Sequence, residues 1–120
     1  MTEHVYWVLE LSVNGTHEET VELMSEMSAA TKEKESGALH YEWWTNDDQS
    51  VVHIFERYAN SAATMQHLGN FGKHYADRFF THFTPRRFTV YGNVDDATRK
   101  ALQGAGATFM DGVGGFSRHG

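Results

Sequence analysis

His67 and Glu56 are the side chains in this 120-residue sequence best suited to chemistry. Imidazole titrates near neutrality, so a histidine on a helix that borders a pocket can serve as a general base, although a half-exposed helix histidine is an equally common role. Glu56 lies between Phe55 and Arg57 in the run VVHIFERY, inside a sheet by pattern. A buried carboxylate must be paired or protonated, which makes Glu56 either a functional group or half of a structural pair with the neighbours of Arg57 or with a backbone amide. His74 follows His67 by seven positions and shares its face only if the helix survives Gly69 and Gly72. The two histidines make a poor metal pair, lacking both the i, i+4 placement and a well-spaced carboxylate. Tyr41, Trp43, Trp44, Tyr58 and Phe71 can wall an aromatic binding site, while rings in strands more commonly fill cores and interfaces. His40 and His53 read as strand histidines at hydrogen-bonded interface positions.

Composition removes many alternatives. Cysteine is absent, which excludes thiolate metal sites, iron–sulfur clusters, cysteine nucleophiles and disulfides. No Gly-rich phosphate loop follows a strand, and neither G-x-S-x-G nor H-E-x-x-H occurs. Ten basic residues against 16 acidic ones give a net charge of -6, with no positive field for nucleic acid. The chain shows no apolar run long enough for a membrane span and no basic-then-apolar leader, so the expectation is a cytoplasmic protein.

These residues need elements to position them. VYWVLELSV (5–13) places apolar side chains at every odd position, as a strand does. Thr16 to Glu19 has the capping-box form, opening a helix whose Leu23, Met24, Met27 and Ala30 share a stripe, with Ser36-Gly37 as a left-handed stop. GALHYEWW then reads as a second strand that is bulky on both faces, and Asn46 to Gln49 turns it back into VVHIFERY as an antiparallel hairpin. Asn60-Ser61 caps a second helix, which Gly69 and Gly72 should split and Pro85 should end before a fourth strand over RRFTVYGNV. Asp95-Asp96 opens a short helix through Leu102, and ATFMDGV offers a brief fifth strand.

The order βαββαβ predicts an α+β, ferredoxin-like antiparallel sheet with both helices on one face. Its other face, with Tyr6, Val8, Glu10, Ser12, one of the two adjacent tryptophans and part of the third strand, is left bare. A symmetric homodimer closing two sheets into a dimeric α/β barrel would cover it. One of Trp43 and Trp44 is then expected in the pocket and the other at the dimer seam. The chain is expected to be one domain over 1–120, with a core at 5–92 and a C-terminal extension at 93–120.

The string E-x-G-A-L-x-Y-E-W at Glu35 to Trp43, followed by F-E-R-Y-A-N-S-A-A at Phe55 to Ala63 and by His67-Leu68, resembles the antibiotic-biosynthesis-monooxygenase-like domains of the dimeric α/β-barrel superfamily. The resemblance implies a homodimer with one pocket per subunit between helix and sheet. It also implies oxidation of a small aromatic molecule, a phenol or quinol, by molecular oxygen without flavin, haem or metal, with His67 as base. Glu56 and His74 are the further catalytic candidates. The alternatives are a non-catalytic small-molecule-binding dimer, suggested by the absence of an evident acid/base pair, and a haem-binding or haem-degrading relative. Haem-degrading members use an asparagine on the first strand, a tryptophan in the second helix and a later histidine, where this chain has Val8, His67 and Asp77.

Overall fold

The computed structural model describes residues 3–118. The chain runs β1 (Val5–Val13), α1 (His17–Lys34), β2 (Ala38–Thr45), β3 (Val51–Tyr58), α2 (Ser61–His74), α3 (Ala76–His82), β4 (Phe83–Gly92), α4 (Asp96–Gly104) and β5 (Thr108–Met110). The sheet order is β2-β3-β1-β4-β5. Its first four strands are antiparallel neighbours in the ferredoxin-like arrangement, so the α+β expectation holds. β5 pairs in parallel with β4, which makes the whole sheet mixed. The parallel pairing follows from α4, which returns the chain to the start of the sheet edge before β5 begins.

Local chemistry sets most of the boundaries. Thr16 and Glu19 form the reciprocal capping box at α1, and the Asn60 side chain accepts from the Ala63 amide at α2. α2 continues through Gly69 and Gly72, contrary to the expected split. Each glycine costs about 1 kcal/mol relative to alanine, and burial of Thr64 and His67 against the sheet outweighs that. The break falls instead at Tyr75, which ends α2 and precedes α3. Gly37 does not adopt the left-handed conformation expected of it. Its missing side chain serves a close approach, since a Cβ there would lie 2.6 Å from Cβ of Ala63 on α2. Pro85 lies inside β4 and does not end a helix; α3 has closed at His82. It faces Leu11 at the point where the β1–β4 register shifts, beyond the residues that β5 pairs, so no ladder bond requires its missing N–H.

Buried apolar residues of α1, α3 and α4 meet the inner side of the sheet in two clusters. Leu11, Leu23, Met27, Val52, Ile54, Phe79 and Phe83 form one; Val5, Trp7, Tyr58, Val90 and Leu102 form the other. The register also settles which residues turn outward. Trp43 pairs with Ile54 on the inner face, whereas Trp44 pairs with His53 on the outer face and is 63% exposed. Tyr6, Val8 and Phe55 share that outer face, where Tyr6 stacks on Tyr91 with ring centres 5.8 Å apart. Among the described residues no helix is long and apolar enough to cross a membrane.

Candidate active site

The site starts from a cross-strand row. Trp7 on β1, Glu56 on β3 and Tyr41 on β2 are direct partners, so their side chains stand side by side on the inner face. Tyr58 follows Glu56 by two residues on the same face. α2 lies over this row and lowers His67 onto it. Glu56 accepts two hydrogen bonds, from Trp7 Nε1 to Oε2 at 2.8 Å and from the Tyr58 hydroxyl to Oε1 at 2.6 Å, and His67 Nε2 lies in ion-pair contact 3.2 Å from Oε1. On the other side of the ring, His67 Nδ1 lies 2.9 Å from Oε1 of Glu35, the residue that caps α1. Asn70 Nδ2 donates to Glu35 Oε2 at 3.3 Å. Glu35, Glu56 and His67 are all buried.

Burial alone would push the His67 imidazole toward its neutral form. The hydrogen bonds and charges of Glu35 and Glu56 overcome it and raise its pKa from 6.5 to about 9. His67 therefore carries its proton at neutral pH, with the Glu35 carboxyl group at one ring nitrogen and the Glu56 carboxyl group at the other. Burial, followed by the charge of Glu56, pushes the Tyr41 and Tyr58 phenols well above their ordinary range, so both hydroxyls keep their protons.

Trp7, Tyr41, Glu56 and His67 form the polar end of a cavity of about 510 Å³. Phe71, Phe79, Phe80 and Phe88 supply its apolar walls, and Ala101, Gly104 and Ala105 of α4 close one side. The volume suits a drug-sized ligand held by apolar contact with a few oriented polar groups. A smaller groove of about 300 Å³ between α1 and α2 reaches Glu35 and His67 from behind, past Lys34 and His74. A further hollow of about 860 Å³ lies at the other end of α1 among Glu19, Glu22, Asp77 and Arg78 and has no part of this array.

The structure thus brings His67 and Glu56 together, and sets Tyr41 and Phe71 on the cavity wall. Tyr58 stands behind Glu56 and orients it without lining the cavity. His74 does not join them. α2 is continuous, but seven residues carry His74 about 10 Å along the axis, to an exposed position on the rear groove. Neither Trp43 nor Trp44 lines the cavity. Trp44 faces outward because adjacent strand residues cannot share a face, and Trp43 packs on Phe83 with ring centres 5.8 Å apart. Glu56 finds Trp7, His67 and Tyr58, the last a sequence neighbour of Arg57, and not a backbone amide. The sequence assigned no role to Glu35 and placed Trp7 only among the alternating apolar positions of the first strand. The signals at Glu35 are its place at the head of the family-like string and its place at a helix C-terminus, where a carboxylate opposes the macrodipole and so needs some other partner. The acid/base contacts that the sequence did not display join His67 to residues 11 and 32 positions before it, Glu56 and Glu35.

The two carboxylates engage opposite nitrogens of His67, so the three groups cannot converge on one ion. Among the described residues no group of three or more His, Asp or Glu side chains is placed to hold a metal. Val8, on the outer face, and Asp77, exposed on α3, are not assembled with His67 as a haem site would need.

Three kinds of comparison bear on this geometry. The family model described as antibiotic biosynthesis monooxygenase matches residues 5–79. No curated protein matches the sequence. Among solved structures, MupZ from Pseudomonas fluorescens is similar at 21% identity and a TM-score of 0.82, covering 99% of this chain and 92% of its own. SnoaB, a cofactor-independent oxygenase from Streptomyces nogalater, is similar at 14% identity and a TM-score of 0.66, over 78% of this chain and 96% of its own. Rv0793 from Mycobacterium tuberculosis is similar at 22% identity and a TM-score of 0.63, over 78% of this chain and 98% of its own. At these identities the structures establish the shared fold.

Proposed function

The chain belongs to the antibiotic biosynthesis monooxygenase family, and on that premise we propose that it is a cofactor-independent monooxygenase acting on a polycyclic phenol or quinol. The observation that carries this reading is the buried Glu56–His67 pair at the polar end of an otherwise apolar and aromatic cavity. Such a wall can take a proton from a bound hydroxyl whose ring lies against apolar side chains.

His67 already carries its proton at neutral pH, so the base passes from His67 to Glu56. A carboxylate oxygen can accept two hydrogen bonds, and Oε2 of Glu56 accepts one, from Trp7. The substrate hydroxyl gives its proton there, and the phenolate lies beside the His67 imidazolium and the Tyr41 hydroxyl. The phenolate transfers an electron to dioxygen, the radical pair joins as a C–O bond at a ring carbon bearing hydrogen, and loss of water from the hydroperoxide leaves a quinone. The balance is one phenol and one dioxygen to one quinone and one water. The proton held by Glu56 leaves in that water.

Oxygen uptake by the purified protein with tricyclic phenols tests this. One oxygen consumed per quinone formed, with one atom of labelled dioxygen in the product, is the expected result; substrate left unchanged with no uptake removes the reading. A second reading has its own support. An imidazolium acid and a carboxylate base held side by side are more than electron release from a phenolate requires, and they suit a redox-neutral proton transfer on the same kind of ligand. Turnover that persists without oxygen would select it. The outer face, with Tyr6, Val8, Trp44 and Phe55, is proposed to meet its copy in a homodimer, and sedimentation at micromolar concentration tests that.

A further inference from the structure

Glu35 is outside the cavity. It is 4% exposed at the end of α1, and the His67 ring stands between it and the space a substrate would occupy. A carboxylate at a helix C-terminus works against the macrodipole, and its burial costs desolvation energy. A neutral amide there could accept the same bond from Nδ1. The geometry explains why a charge is retained. An imidazolium has two N–H donors and no acceptor, so it is satisfied only between two acceptors, and the structure offers Glu35 at one nitrogen and Glu56 at the other. A neutral imidazole would set one nitrogen lone pair against a carboxylate oxygen.

We propose that Glu35 is a positioning residue that acts through His67: it fixes the ring with Nε2–H directed at Glu56 and keeps a positive charge beside the anion formed in the cavity. Asn70 steadies Glu35 by its second oxygen. The other groups facing the ring are Glu56 and Tyr58 from β3, Tyr41 from β2 and Trp7 from β1, and Lys34, His74 and Arg78 share the rear groove with Glu35. None of them replaces a carboxylate at Nδ1. The proposal rests on the preceding reading for the identity of the anion, but not for the state of His67.

The test is a nitrogen-15 NMR titration of His67 in the full chain without ligand, compared in wild type, Glu35→Gln and Glu35→Asp. Loss of one close opposite charge should lower the His67 midpoint by about 1–3 pH units in Glu35→Gln, and Glu35→Asp should restore most of it. The alkaline limb of the rate profile with 1-naphthol and oxygen should move by the same amount as the midpoint. An unchanged midpoint in Glu35→Gln, or an equal fall in both variants, overturns the proposal. Should Glu35→Gln fail to fold, Asn70→Ala leaves the charge in place but loosens it; a smaller fall in the same direction is expected, and no fall overturns the proposal. Because the midpoint is read on free protein, absent oxygen uptake with the expected titration would remove the oxygenase reading and leave the positioning role standing.

Discussion

β3 passes through two different interiors. At Val52 and Ile54 its inner face meets Leu11, Leu23, Met27, Phe79 and Phe83, an apolar cluster beneath α1 and α3 whose Met27, Ile54 and Phe79 also form the near wall of the cavity. Two residues on, at Glu56 and Tyr58, the same face meets His67, Glu35 and a cavity bounded by α2 and α4. The first interior gains stability from every buried methylene. The second gives some of that up, because an unfilled cavity forfeits contacts and each buried charge must be offset by a partner. The strand and its backbone geometry are common to both ends. Side-chain chemistry alone separates the half that holds the fold from the half that can act on a ligand.

Substitutions at the two ends should therefore be read by different instruments. The largest effect is expected at Glu56→Gln, which keeps the shape and removes the base. Turnover of a phenolic substrate should fall by about 10²–10⁴-fold, and its unchanged rate would separate the array from catalysis. At the dry end, Phe83→Ala should cost about 3–5 kcal/mol in urea unfolding while leaving the His67 titration in place. Third is the pH dependence of stability. The folded pKa of His67, about 9, lies above its ordinary value of 6.5, so the stabilisation is complete below about pH 6.5 and is lost as pH rises through about 9. Urea midpoints should fall between about pH 6 and about pH 10 by the equivalent of about 2–4 kcal/mol, and this dependence should vanish in His67→Phe.

Two smaller effects sharpen the boundary of the polar half. A Cβ at Gly104 meets nothing within 4 Å, and Gly104 lines the cavity, so Gly104→Phe should narrow it with little change in stability. Binding of a tricyclic phenol, followed by calorimetry, should weaken by about tenfold and that of a single-ring phenol hardly at all. Trp44→Ser on the outer face should shift unfolding by no more than about 0.5 kcal/mol in the monomer. Its readout is sedimentation, where a species of lower mass is expected if Trp44 lies in the proposed dimer contact.

Much of this was legible in the chain itself. Alternation in Val5 to Val13, the capping box at Thr16 and the Asn60 cap specify elements because each is satisfied by residues within a few positions of one another. The same locality misled where packing outweighed it: Gly69 and Gly72 sit in an unbroken helix, Gly37 makes room for Ala63, and Pro85 lies in a strand. His67 and Glu56 could be singled out as candidates from residue type and expected burial. Their mutual contact could not, nor could the part of Glu35, which the sequence marks as an acid at the end of a helix and the head of a family-like string but ties to no partner.

The sequence by itself determined the order of elements, the ferredoxin-like topology and the inward periodicity, since these depend on hydrogen bonds and side-chain spacing along the chain. Tertiary structure decided which nitrogen of His67 meets which carboxylate, that His67 is charged, and that a cavity opens between α2 and α4 instead of a filled core. Those outcomes depend on distances of about 3 Å between groups from separate elements. Burial and Coulomb energies change steeply over such distances, and spacing along the chain does not record them.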